Sequence, residues 1–157
     1  DCDLLCVGKA LGGGRPLSAC LGTKETMGSW PQSTGEALHT GTFFGHPLSC
    51  AVGLKTLETI EKLNLINESK NKGEWLVSQL RDLLKNNEYV TEIRGAGLMI
   101  GIEFKESGHA AKLAEAARKK GLIVLPSGDK SQVLSLTPAL NIPVEMLESA
   151  VHSLFHK

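Results

Sequence analysis

Two short segments hold the residues best suited to chemistry. In CVGKALGGGRPLSA, residues 6–19, one amine, Lys9, stands between a short apolar run and three consecutive glycines. Such a lysine is either an ordinary solvated charge before a flexible turn or a side chain reaching into a site that needs an amine and close backbone approach. Glycine permits that approach because it lacks a Cβ. The segment is not a Walker phosphate loop, because Ala10 rather than Ser or Thr follows the lysine and the glycine spacing differs. In HTGTFFGHP, residues 39–47, small and hydroxylated residues lead into Pro47, and proline suits the first position of a helix. Hydroxyls and free N–H groups near a helix N-terminus hold anions. The same residue types also make an ordinary capping loop.

The elements that must position these residues are legible from pattern. DLLCVG (3–8) reads as a buried strand and LSACLG (17–22) as a second, with Gly12, Gly13, Gly14 and Pro16 ending regular structure between them. Residues 28–41 read as a long Gly/Ser/Thr/Pro loop. A helix is predicted from Pro47 to about Asn64, with Leu48, Ala51, Val52, Leu54, Leu57 and Ile60 near helical spacing. A second covers about 67–85, with Trp75, Leu76, Leu80, Leu83 and Leu84 as its apolar stripe. YVTEI (89–93) and LMIGIEF (98–104) flank a hairpin connection at Arg94-Gly95-Ala96-Gly97. A helix over 109–120 ends at Gly121, a residue suited to a C-cap. LIVLP (122–126) and QVLSLTP (132–138) read as strands, and a last helix starts at Pro143. The order β-β-α-β-β-α from residue 89 predicts an α+β lobe, with helices on one face of a mostly antiparallel sheet.

Composition narrows the classes. The chain has 157 residues, 41% of them apolar, enough for a real core. Lys plus Arg equals Asp plus Glu at 17 each, a balance that argues against a nucleic-acid partner. Apolar stretches are far too short to span a membrane. Cys2, Cys6, Cys20 and Cys50 show no C-x-x-C spacing and are expected to be reduced, mostly buried thiols of an intracellular protein. The opening DCDLLC has neither an initiator Met nor a signal pattern, so the chain reads as a piece of a longer one. His152 and His156 stand four apart on the last helix, a metal-compatible spacing, yet no third ligand is suggested and no metal is assigned. Trp30 and Trp75 are expected to be packing residues, Trp30 alternatively bordering a substrate entrance.

Taken together and in order, GKALGGGRPLSA, HTGTFFGHPLSCAVGLKTLETI, IRGAGLMIGIEF and VLSLTPAL resemble the class III aminotransferases, pyridoxal 5'-phosphate (PLP) enzymes of fold type I. The resemblance covers essentially the whole chain. It implies an α/β fold seen as its C-terminal portion. Residues 1–46 would end the large PLP-binding domain, 47–86 would be linking helices, and 87–157 the small C-terminal α+β lobe.

On that resemblance Lys9 forms the internal aldimine with PLP, since only an unprotonated primary amine makes a Schiff base, and burial or nearby cations must lower its pKa. Once displaced by substrate, the amine moves a proton as general base and acid. Thr42 donates to the cofactor phosphate from the neighbouring subunit of a homodimer, and Gly41 adds a backbone contact. His46 is assigned to capping, and Arg94 to a structural role at the lobe boundary, alternatively to a substrate carboxylate. Many members place an arginine in the strand matching VLSLTPAL to fork onto the substrate α-carboxylate. Here that substrate-binding position is Ser135, which offers one neutral hydrogen bond and no charge.

The implied reaction is ping-pong transfer from an amine donor to a keto acid or aldehyde acceptor, in the cytoplasm or, in a eukaryote, the mitochondrial matrix. The group pairing the pyridine nitrogen, the ring-stacking aromatic and a further phosphate loop would lie in a missing N-terminal part, so these residues alone would bind cofactor poorly and not turn over. The alternatives are an aminomutase or decarboxylase on the same framework, or a catalytically inert member serving as an interaction module.

Overall fold

The computed structural model describes residues 2–36 and 39–155. The chain divides into two compact units, Asp1–Leu63 and Asn64–Lys157.

In the first unit, β1 (Leu4–Val7) and β2 (Ala19–Gly22) form an antiparallel pair. Between them the chain makes a 3-10 turn, Lys9–Gly12, where the sequence pattern predicts only a break. A short helix that the pattern does not reveal, α1 (Lys24–Gly28), follows β2, with the Thr23 side chain capping it by accepting from the Thr26 N–H. After the loop comes α2 (Pro47–Lys62), with Pro47 at its start as expected.

The turn at Lys9 docks on α2 through glycines. Gly13 sits at φ +54, and a Cβ there would stand 2.8 Å from Val52 Cγ1. A Cβ on Gly53 would stand 2.5 Å from Leu17 Cδ2. The expected apolar stripe of α2 is largely exposed in this chain, with Leu48, Leu54 and Leu57 about half accessible. The expectation of buried cysteines fails for a related reason. Cys6 and Cys20 lie on a two-stranded sheet that presents both faces, Cys2 precedes it and Cys50 is on α2, and all four thiols are exposed and free.

The second unit starts with α3 (Leu65–Leu84). Four antiparallel strands follow in the order β3-β4-β6-β5: β3 (Val90–Ala96), β4 (Met99–Phe104), β5 (Leu125–Ser127) and β6 (Val133–Leu136). Gly97 opens the two-residue β3–β4 connection at φ +54, the conformation a tight hairpin asks of its first position. α4 (His109–Lys119) is followed by Gly121 at φ +81, and α5 (Val144–Phe155) closes the unit. The strand expected over 122–126 shrinks to Leu125–Ser127. It is an edge strand containing Pro126, which has no N–H to give a ladder.

The core lies on one face of the sheet. Leu76, Leu80 and Leu84 of α3 recur every four residues and pack with Ile93, Ile100, Ile102, Phe104, Leu134 and Leu136. Ala110 of α4 and Leu147 of α5 join the same cluster, and Trp75 packs at its margin.

Candidate functional site

β1 delivers Lys9 through Gly8, whose backbone is fully extended. Lys9 itself sits at φ +51, a left-handed conformation that costs a side-chain-bearing residue roughly 1–2 kcal/mol. Such strain marks positions where the surroundings over-determine the backbone. Here the docking of the following turn on α2 through Gly13 and Gly53 does so. The Lys9 side chain is exposed, and among the described residues it makes no hydrogen bond or ion pair. The burial that amine chemistry asks for is therefore not supplied by these residues.

Thr42 lies in the turn that enters α2 and is also exposed. The Gly41 carbonyl accepts from the Phe44 N–H at 3.0 Å, and the Phe43 carbonyl accepts from His46 N–H at 3.1 Å. This winds the segment toward the helix while leaving the Thr42 hydroxyl without a partner among the described residues. His46 caps α2, its Nδ1 accepting from the Ser49 N–H at 3.4 Å. Each of these groups, a primary amine followed by a run of glycines and a free hydroxyl next to a helix start, is of a kind that suits PLP, an aldehyde bearing a phosphate. An open cleft of about 680 Å³ is lined by Cys6, Val7, Ser18, His39, Phe43 and Phe44. These are chain neighbours of Lys9 and Thr42, but neither of those two residues lines it.

Ser135 and Arg94 belong to the second unit. One register row crosses all four strands as Arg94, Gly101, Ser135 and Leu125. Directly opposed residues share a face, so Arg94 and Ser135 stand on the same side with only a glycine between them. The half-buried Ser135 hydroxyl pairs with the Ser127 hydroxyl at 2.7 Å. Arg94 is committed to two carboxylates, Glu103 and, at 2.7 Å, Glu92. Its guanidinium is held above its ordinary value first by the hydrogen bond to Glu103, with the charges of both glutamates adding and partial desolvation opposing. This partnership was not legible in the sequence because Glu103 lies on the next strand and only register brings it to Arg94.

Trp30 is 56% exposed and stacks on His39 rather than packing in a core. His152 lies on α5, while His156 lies outside the described residues. Among the described residues no three His, Cys, Asp or Glu side chains are grouped as a metal site would need. None of the helices described is long and apolar enough to cross a membrane.

The comparisons with known proteins agree with one another. The family model of class III aminotransferases matches residues 1–157. An acetylornithine aminotransferase of Bacillus cereus is 36% identical over 150 residues, covering 96% of this chain and 37% of that protein. The crystal structure of a Bacillus anthracis aminotransferase superposes with a TM-score of 0.87 at 31% identity, over 97% of this chain and 37% of that one. An ornithine aminotransferase of Toxoplasma gondii, solved with PLP at partial occupancy in its active site, gives a TM-score of 0.84 at 27% identity, over 98% of this chain and 36% of that one. The chain thus spans a little over a third of the length of these relatives, and its architecture is that of the matching portion of fold type I aminotransferases. Matched by the family model from its first residue to its last, the chain belongs to the class III aminotransferases.

Proposed function

We propose that these residues are the part of a PLP-dependent aminotransferase that carries the cofactor lysine. The protein transfers an amino group from an amine or amino acid to a keto acid or aldehyde in a ping-pong cycle. The observation that carries this reading is the family match through residues 1–157, with Lys9 presented at the end of β1 as an exposed amine. Relatives named as aminotransferases favour transfer over an aminomutase, a decarboxylase or an inert module.

When bound, PLP supplies the electron sink for the carbanion formed at the substrate carbon. Lys9 holds the cofactor covalently and, once freed by substrate, moves the proton at that carbon as base and then acid. Thr42 donates its hydroxyl to the phosphate and Gly41 adds a backbone contact. We assign Thr42 to the site of the neighbouring subunit, so that the catalytic unit is a homodimer. Residues 1–46 then end the cofactor domain, 47–86 link, and 87–157 form the small lobe. The remaining cofactor contacts and the shielding of Lys9 come from a preceding part of a longer protein, and these residues alone do not turn over. The protein works in the cytoplasm, or in the mitochondrial matrix of a eukaryote, on small molecules rather than on nucleic acid or at a membrane.

Ser135 faces substrate and offers a neutral hydroxyl. Arg94, on the same sheet face one strand beyond Gly101, is paired with Glu92 and Glu103, so a free α-carboxylate is not the group read there. The test is a panel of amine donors, with and without an α-carboxylate, mixed with the cofactor-loaded full-length protein. Loss of the bound cofactor's visible absorption, with release of the matching carbonyl product, is the expected result. No response to any amine would refute transfer.

Thr42→Ala is expected to weaken cofactor retention about ten- to a hundredfold, the worth of one hydrogen bond to a charged group. Thr42→Ser should recover most of it. Titration of the full-length apoprotein with PLP, followed by absorption, measures both.

A further inference from the structure

Cys6 and Cys20 stand directly opposite each other in the β1–β2 ladder. Their Sγ atoms are 3.9 Å apart. Opposed residues of an antiparallel ladder have Cα atoms about 4.5 or 5.5 Å apart, inside the roughly 4.4–6.8 Å that a disulfide spans. Joining the two sulfurs therefore asks for side-chain rotation and no backbone shift. Both thiols are exposed and free among the described residues, and both line the open cleft beside Val7, Ser18 and His39. Among the described residues no comparable sulfur contact involves Cys2 or Cys50. The pair escapes any sequence motif because strand pairing, not C-x-x-C spacing, brings it together.

We propose that Cys6 and Cys20 are a reversible dithiol site, converted to an intrachain disulfide by a low-molecular-weight disulfide such as oxidised glutathione. One of the two cysteines, as its thiolate, attacks one sulfur of the small disulfide, forming a mixed disulfide and expelling one thiolate, which takes up a proton. The other cysteine loses its proton and attacks the Sγ of the first, the bond from that sulfur to glutathione breaks, and the second thiol leaves. One S–S bond is broken for each one made, two electrons pass from the cysteines to the oxidant, and two protons end on the released thiols.

The Cys20 thiol is held above its ordinary value, first by its hydrogen bond with Cys6 and then by desolvation and the charge of Cys6. The disulfide would tie β2 to the strand that leads into Lys9. The dithiol site stands whether or not Lys9 holds a cofactor.

The full-length protein is equilibrated over a series of oxidised-to-reduced glutathione ratios, alkylated with iodoacetamide in denaturant and peptide-mapped. Near-complete loss of alkylation at Cys6 and Cys20 is expected, with the two peptides cross-linked and Cys2 and Cys50 still alkylated. Dithiothreitol should reverse it, the Cys2→Ser/Cys50→Ser double variant should behave alike, and Cys6→Ser should leave no cross-link. Absence of the cross-link at every ratio, a persistent glutathione adduct on either cysteine, or cross-links to Cys2 or Cys50 would each overturn the proposal.

Discussion

Replacing Lys9 with glycine is expected to abolish turnover of the full-length protein while leaving it slightly more stable. Two separate physical effects act at one residue. Removal of the amine deletes both the covalent anchor and the proton-transfer group, which together account for about 10⁴-fold or more of the rate. Lys9→Arg should fail equally, because a guanidinium stays protonated and cannot form the bond. The backbone effect has the opposite sign. Lys9 sits at φ +51, a conformation glycine adopts without penalty. Relief of that strain, less the extra chain entropy of glycine, leaves a gain of up to about 1 kcal/mol. Steady-state kinetics and denaturant unfolding of the same preparation separate the two. Lys9→Ala, which keeps the strain, should lose activity without the gain.

Gly73→Ala is expected to be the most damaging single-methyl change in the second unit. A Cβ there would stand 2.0 Å from the Gly97 carbonyl oxygen and 2.4 Å from its carbon. Both obstacles are backbone, so no side-chain rotation relieves them, and α3 must lift away from the β3–β4 connection. The lift separates Leu76 and Leu80, fully buried on the next turns of α3, from Ile100 and Ile102. Overpacking of this kind costs about 1–3 kcal/mol, and a backbone obstacle belongs at or above the upper end. Urea unfolding should show a lower midpoint with little change in slope. Gly108→Ala is a control: it also replaces a glycine, but one with open space around its Cβ position, so its cost is limited to the strain of φ +73.

Much of the fold was legible in the sequence because it rests on local signals. Pro47 marks the start of α2, and the recurrence of Leu76, Leu80 and Leu84 marks α3. The hairpin is legible but misplaced: Arg94, Gly95 and Ala96, expected in the connection, pair within β3, and the turn is Gly97-Leu98. What stayed hidden depends on partners distant in sequence. Gly73 reads as an unremarkable helix interruption until Gly97 is set against it. Cys6 and Cys20 read as unrelated thiols until β1 and β2 pair. Arg94 reads as a lone cation until register supplies Glu103. α1 was missed because five residues hold too few apolar positions to show a period.

Lys9 and Thr42 stand out in the sequence by residue type and by their order along the chain, and neither side chain has a hydrogen-bond or ion-pair partner among the described residues. Lys9 is exposed, and the described residues do not shield its amine.

The central claim is that Lys9 is the residue that holds the cofactor, and a covalent map tests it most directly. Full-length protein loaded with PLP is reduced with borohydride, which fixes any lysine–cofactor bond, then digested and mass-mapped. The account predicts the reduced cofactor on the peptide containing Lys9 and on no other. A label on a different lysine, or none on protein shown to be folded and saturated with PLP, would contradict it.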